Sequence, residues 1–178
     1  MKRSDAQRPR MSGQTIATVV SLDDPDGEGK VLLELQTQEG RSVLAWAPVV
    51  TPMAGNGRGL WAMPEEGDEV LCGFLYGDPE HPYMLGALYN GKDKPPSTSY
   101  RERRWSSLVH PGFRMLDKEG EKGDFGAVVI EDHYGNRITL SNGKITVSSV
   151  CLVEFKAEMF SFSGSGWRRV MTPNNNPL

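Results

Sequence analysis

The apolar residues in the first half of the chain occur in short runs of strand length, and this spacing limits the folds open to it. Five such runs lie at 15–22, 30–35, 43–50, 69–76 and 83–88, and each ends near Gly, Pro or Asp. Runs of this length with turn residues between them predict β-strands. Five short strands favour a small closed barrel, because closure removes the exposed sheet edges.

The pattern changes after Asn90. Residues 91–107 hold paired prolines and a charged run, which predicts an extended, solvated linker. Short alternating segments follow within 108–165: Val128/Ile130, Ile138/Leu140, Ile145/Val147, Val153/Phe155/Ala157 and Phe160/Phe162. Alternation places apolar side chains on one face of a strand. Because about 50 residues in this style have no second layer to cover that face, we expect three identical chains to wrap a common axis.

Composition and charge argue against several classes of function and partner. The net charge is −3, so the chain as a whole has no built-in attraction for phosphate backbones, and nucleic acid is not an expected partner. No run approaches the length of a membrane-spanning helix. Basic residues at 1–12 are followed by polar residues, which predicts a flexible arm and no secretory signal. Both cysteines, Cys72 and Cys151, lie in apolar runs and are expected to be buried thiols.

Motifs for catalysis or cofactor binding are weak. The Gly55–Gly59 stretch lacks the ending and the following helix of a phosphate-binding loop, so a turn is favoured. The adjacent pairs Asp23/Asp24 and Glu65/Glu66 do not suit two carboxylates facing each other across a cleft. No GxSxG nucleophile elbow is found. We therefore expect no enzymatic activity and no cofactor.

A series of motifs in fixed order carries a family resemblance. The motifs are Leu22-Asp23-Asp24-Pro25, Gly29-Lys30-Val31, Trp46-Ala47-Pro48-Val49-Val50, Ala54-Gly55, Gly57 to Trp61, Pro64 to Leu71, Gly77 to Tyr83 and Gly86 to Asn90. Together they resemble the OB domain of phage baseplate assembly protein V, VgrG proteins and other spikes of contractile injection systems. Ser106 to Gly112 and Asp132 to Leu140 resemble the start of the spike's β-prism.

The resemblance implies an all-β chain: an N-terminal OB-fold barrel followed by a trimeric intertwined β-prism, or triangular β-helix. The domain boundaries predicted are a basic arm at 1–12, the barrel at 13–90, the linker at 91–107, the prism at 108–165 and a tip-docking end at 166–178. It also implies a homotrimer on a tail axis that docks on a hub by its OB end and punctures the target envelope. Since the barrel begins near residue 14, we expect the hub to be a separate polypeptide.

The resemblance also raises the question of a metal tip, since some family members enclose iron with HxH pairs from three chains. The three histidines, His81, His110 and His133, form no such pair, so we expect no metal site. A PAAR-type tip protein would then cover the end of the trimer. We expect it to dock on an apolar patch made by Trp167, Val170 and Met171, in an irregular segment.

The predicted location is a virion or extracellular particle, assembled in the host cytoplasm without a signal peptide. The alternative is an OB-fold module that binds single-stranded nucleic acid or carbohydrate. Such a module is expected to interleave a basic groove with stacking aromatics. Here the barrel is rich in Asp and Glu, and Trp46, Trp61, Phe74 and Tyr76 lie in or beside strands, where core packing or hub contact explains them.

Overall fold

The computed structural model describes residues 13–36, 40, 42–117 and 126–171. The chain divides into two compact units, Met1–Pro95 and Pro96–Leu178. The regular structure of the described residues consists of fourteen strands and one 3-10 turn at Leu75–Gly77. The chain is therefore all-β, as the spacing of its apolar runs predicts.

The first unit contains seven strands. They are β1 (Thr15–Ser21), β2 (Lys30–Gln36), β3 (Ser42–Pro48), β4 (Ala54–Gly55), β5 (Arg58–Gly59), β6 (Glu69–Phe74) and β7 (Pro82–Ala87). The five longer strands match the five predicted ones. Their antiparallel order is β3-β2-β1-β6-β7. A parallel bridge between Val49 and Met84 joins the two ends, and the Val50 N–H donates to the Met84 carbonyl at 2.9 Å. This is the five-stranded, partly open barrel of the OB fold.

The barrel has a complete core of its own. Inward positions alternate along each strand, and the buried set is Ala17, Val19, Val31, Leu33, Leu35, Ala47, Val70, Cys72, Phe74 and Met84. Leu22, Ala45, Val49 and Met63 pack against it. Burial of Cys72 confirms its expected role as a small apolar residue and raises the pKa of its thiol.

The loop between β3 and β6 contains the short hairpin β4–β5. Its two-residue turn, Asn56-Gly57, has the left-handed Gly57 that such hairpins favour, so the Gly55–Gly59 stretch is a turn. Beyond it, Trp61 packs against Gly29, where a β-carbon would lie 2.8 Å from the indole. Gly29 has a φ of +77°, so both the backbone and the neighbouring ring require glycine.

The strand predicted to reach Tyr76 ends at Phe74, where the chain enters the 3-10 turn. Tyr76 takes a left-handed φ of 54° there and is 92% exposed. The side chain of Trp61 is also exposed and Trp46 is half-buried, so of these four aromatics the core contains Phe74. Core packing therefore explains the presence of Phe74 but not that of the other three aromatic residues.

The second unit contains the other seven strands. They are β8 (Glu102–Trp105), β9 (Gly112–Leu116), β10 (Ala127–Glu131), β11 (Arg137–Ser141), β12 (Lys144–Ser148), β13 (Phe160–Gly164) and β14 (Trp167–Met171). An antiparallel meander joins the first five in the order β12-β11-β10-β9-β8, and β13 pairs with β14. β8 lies within the range predicted as linker; its backbone pairs with β9 despite its charged residues.

Candidate functional site

The meander sheet carries its apolar side chains on one side. Register places Trp105, Phe113, Ile130, Ile138 and Val147 in one row across the five strands. The neighbouring row, two residues along, is Arg103, Met115, Val128, Leu140 and Ile145. We call the nine apolar members of these rows the apolar face. The predicted pairs on β10, β11 and β12 therefore do lie on one face.

The apolar face is mostly open to solvent. Seven of its nine side chains are exposed, and Ile145 reaches 71%. Among the described residues of the second unit, Val129 is the one buried hydrophobic side chain, and it lies on the opposite face. The barrel buries ten core residues by comparison. Among its described residues the second unit thus has no layer that covers the apolar face, which is the pattern of an interaction surface.

Charge is kept to the margin of this face and to the opposite side. Arg103, on the edge strand β8, donates to Asp117 at 2.9 Å. On the opposite face Glu131 accepts from Arg137 at 2.8 Å and from Arg114 at 3.2 Å. The hydrogen bond from Arg137 is the main cause that lowers the pKa of Glu131. The two faces of the sheet therefore differ clearly in polarity.

A polar cluster closes the turn between β10 and β11. Asp132 Oδ1 accepts from the backbone N–H groups of Tyr134 and Asn136, both at 2.9 Å. Asp132 Oδ2 accepts from the Asn136 side-chain amide at 2.7 Å, the main cause of the lowered pKa of Asp132. Asn136 Oδ1 in turn accepts from the Ser149 hydroxyl at 2.8 Å and from the Val150 N–H at 3.0 Å. We call Asp132 and Asn136 the clasp.

Residues 152–157 follow the sheet without strand pairing. The sequence alternation at Val153, Phe155 and Ala157 predicts a strand, but the segment has no ladder with any described residue of its own chain. Val150, Leu152 and Phe155 are well exposed. Cys151 is exposed as well, so the expectation that it is buried is wrong for the single chain. Leu152 and Val153 line one groove together with Ile130, Ile138 and Val147, and so extend the apolar face.

The predicted tip-docking residues Trp167, Val170 and Met171 lie on β14. Its backbone pairs with β13, with Trp167 opposite Gly164 and Met171 opposite Phe160. The prediction that this segment is irregular is therefore wrong for 167–171, because the partner strand supplies its backbone hydrogen bonds. The side chains of these three residues and all of 172–178 lie outside what the structure describes.

The histidines lie in turns. His81 Nδ1 is 3.3 Å from an Asp78 carboxylate oxygen. The His133 N–H donates to His110 Nδ1 at 3.1 Å, and the two rings meet edge to face. Within 13–36, 40, 42–117 and 126–171, no three His, Cys, Asp or Glu side chains come together as a metal-binding group.

Sequence analysis singled out Trp61 but not the other members of an apolar patch on the barrel, the Trp61 patch. Val50, Met53, Leu60 and Trp61 are exposed and surround the β4–β5 hairpin, next to Gly29. Trp61 packs its six-membered ring against Gly29 and is otherwise largely exposed to solvent. The glycines around Trp61 are the one sequence signal that could have indicated the patch. The contact of Trp61 with Gly29, 32 residues away, depends on the fold.

Comparison with known proteins shows what the first unit is similar to. Residues 15–89 match the family described as "Type VI secretion system/phage-baseplate injector OB domain". The matched range contains all seven strands of the first unit. No helix among the described residues is long and apolar enough to cross a bilayer.

The chain is also similar to spike proteins of type VI secretion. It is 30% identical over 138 residues to the type VI secretion system spike protein VgrG4b of Pseudomonas aeruginosa, covering 66% of this chain and 17% of that protein. It is 35% identical over 100 residues to VgrG2a of the same species, covering 50% of this chain and 12% of that protein. The actin cross-linking toxin VgrG1 of Vibrio cholerae is 32% identical over 132 residues, 65% of this chain and 12% of the toxin.

The matches to VgrG4b and VgrG1 cover more of the chain than the first unit contains, and the matches together confirm the resemblance to VgrG-like baseplate spikes. The chain nevertheless corresponds to only 12–17% of the length of these relatives.

Proposed function

We propose that the chain is the central spike of a contractile tail baseplate, in a phage, tailocin or related injection system, and that its role is structural. The observation that carries the proposal is the apolar face: nine apolar side chains in two rows, seven of them exposed. A free protein seldom leaves a contiguous surface of this kind uncovered. A shaft made of several chains would bury it.

The proposed partner for the apolar face is the same face of two further copies. Three sheets around an axis would bury the two apolar rows and leave the Arg114, Glu131 and Arg137 cluster outside, where its charges stay hydrated. A closed assembly would also remove the free edges at β8 and β12. The number three comes from the resemblance to trimeric spikes.

Light scattering on the full chain tests this assembly. We expect three times 19.7 kDa. A fragment ending near Asn90 should remain folded, because the barrel has its own core, and should be monomeric. A full-length chain that stays monomeric up to high micromolar concentration would refute the proposal.

Hub docking is assigned to the barrel, with the Trp61 patch as the contact. An exposed Trp and Met beside apolar residues are typical of the energetic centre of a protein interface. The fragment ending near Asn90 should therefore bind the baseplate hub without the second unit. Assembled on the hub, in a virion or extracellular particle, the trimer would be driven through the target envelope when the sheath contracts.

A PAAR-type tip protein is proposed at the other end, on residues 166–178. Since β14 pairs with β13, truncation at 166 would also remove a strand, so substitution is the sharper test. A triple variant in which Trp167, Val170 and Met171 are each replaced by Thr keeps the β propensity of the strand and removes its apolar side chains. Particles carrying this variant should contain trimeric spike but lose the tip protein. Full tip occupancy would contradict the assignment.

A further inference from the structure

The clasp connects two parts of the chain that are separated in sequence. Asp132 and Asn136 belong to the β10–β11 turn, whereas Ser149 and Val150 follow β12. We propose that the clasp sets the path by which residues 149–153 leave the sheet, and that assembly of three copies depends on this path. The inference rests on the proposed trimer and adds a positioning role for Asp132 and Asn136.

Asp132 determines which way the Asn136 amide faces. The amide nitrogen donates to Asp132 Oδ2 at 2.7 Å, so the amide oxygen must face the other way. There it accepts from the Ser149 hydroxyl and the Val150 N–H. If the amide were reversed, its NH2 group would face the Val150 N–H, donor against donor. The carboxylate therefore acts on Val150 through the orientation of Asn136.

The segment that begins at the clasp enlarges the apolar surface. Val150 and Leu152 are both 73% exposed, and Leu152 and Val153 share a groove with Ile130 and Ile138. Residues 152–157 belong to no strand ladder within the described part of the chain, so the direction in which the chain leaves Ser149 contributes strongly to their path. With the path fixed, this surface is presented to another copy in one arrangement. If the chain left Ser149 in another direction, Leu152 and Val153 would no longer continue the apolar face.

Exchanging the two side chains gives a sharp test. Asn136→Asp alone sets two carboxylates against each other, and Asp132→Asn alone sets two amides against each other. The double variant D132N/N136D keeps a donor opposite every acceptor: the amide at 132 donates to the carboxylate at 136, which still accepts from Ser149 and Val150. The amide oxygen at 132 still accepts from the two backbone N–H groups of the turn.

Light scattering over a dilution series would measure the concentration at which each full-length variant forms half of its trimer. Each single variant should require a concentration at least about tenfold higher than wild type, the effect expected when a charge-assisted hydrogen bond is lost. The double variant should return to within about threefold.

Hydrogen exchange separates positioning from general destabilisation. In the single variants, exchange should rise at 149–157 while the melting temperature of the barrel stays unchanged. A trimeric wild type whose Asn136→Asp variant assembles equally well, or a double variant that does not recover, would overturn the role of the clasp alone. A monomeric wild type would refute the proposed function and the clasp with it.

Discussion

Ile145→Asp is expected to abolish the trimer while leaving the single chain nearly unchanged. Ile145 lies on edge strand β12 in the apolar face and is 71% exposed. The substitution therefore removes little packing within one chain. Lys144, its neighbour, points to the polar side of the same strand, so Lys144→Asp introduces the same side chain one residue away on the opposite face.

The magnitude follows from the exposed fraction. Complete burial of an Ile side chain stabilises by about 1.5–3 kcal/mol, so burying the 71% left open should contribute about 1–2 kcal/mol per copy. Over three copies this is about 3–6 kcal/mol, or two to four powers of ten in the association constant. Placing a carboxylate in the interface adds a desolvation cost of about several kcal/mol per copy unless it becomes protonated.

Light scattering between about 1 and 100 µM would measure both variants; because the association constant of a trimer scales with the square of the concentration, each tenfold step corresponds to about 2.7 kcal/mol. Lys144→Asp should remain at three times 19.7 kDa, whereas Ile145→Asp should fall to one chain mass. The circular dichroism signal that reports the folded barrel should be the same for both variants. If the two variants assemble equally, the apolar face is not the interface.

Two further predictions concern the barrel and the clasp. Gly29→Ala should lower the barrel's stability by about 1–3 kcal/mol more than Gly27→Ala and should change Trp61 fluorescence, because both glycines have positive φ but Gly29 alone touches the indole. The hydrogen bond from Asn136 holds the pKa of Asp132 below its ordinary 3.8, so the ionised clasp stabilises the fold above about pH 4 and this stabilisation is lost as pH falls through the lowered pKa. The difference in melting temperature between wild type and Asp132→Asn should therefore shrink on acidification; a constant difference between pH 7 and pH 3 would contradict this.

Local pattern predicted the barrel strands and the apolar face well. Inward residues such as Val31, Leu33 and Leu35 alternate in the sequence because alternate side chains of a strand point to opposite sides. Val128/Ile130 and Ile138/Leu140 could be placed on one face for the same reason. These features depend on residues two apart, which a sequence displays directly.

Features that depend on distant partners were missed. β8 contains Glu102, Arg103 and Arg104 and was included in the linker, because its strand character comes from pairing with β9. Val153 and Phe155 alternate like a strand but belong to no strand ladder among the described residues. The link from Asn136 to Ser149 and Val150 spans at least 13 residues, so the Asp132–Asn136 motif could be recognised as a turn but not as a clasp.

The imbalance of burial between the two units has a kinetic consequence. The barrel can fold as each chain is made, since its core is internal. The second unit has Val129 as its one buried hydrophobic residue among those described, so in the proposed trimer most of its burial would come from encounter with other copies. We expect shaft formation to accelerate with chain concentration while barrel formation does not. Expression level would then decide whether a hub receives a finished shaft or a barrel with an unassembled tail.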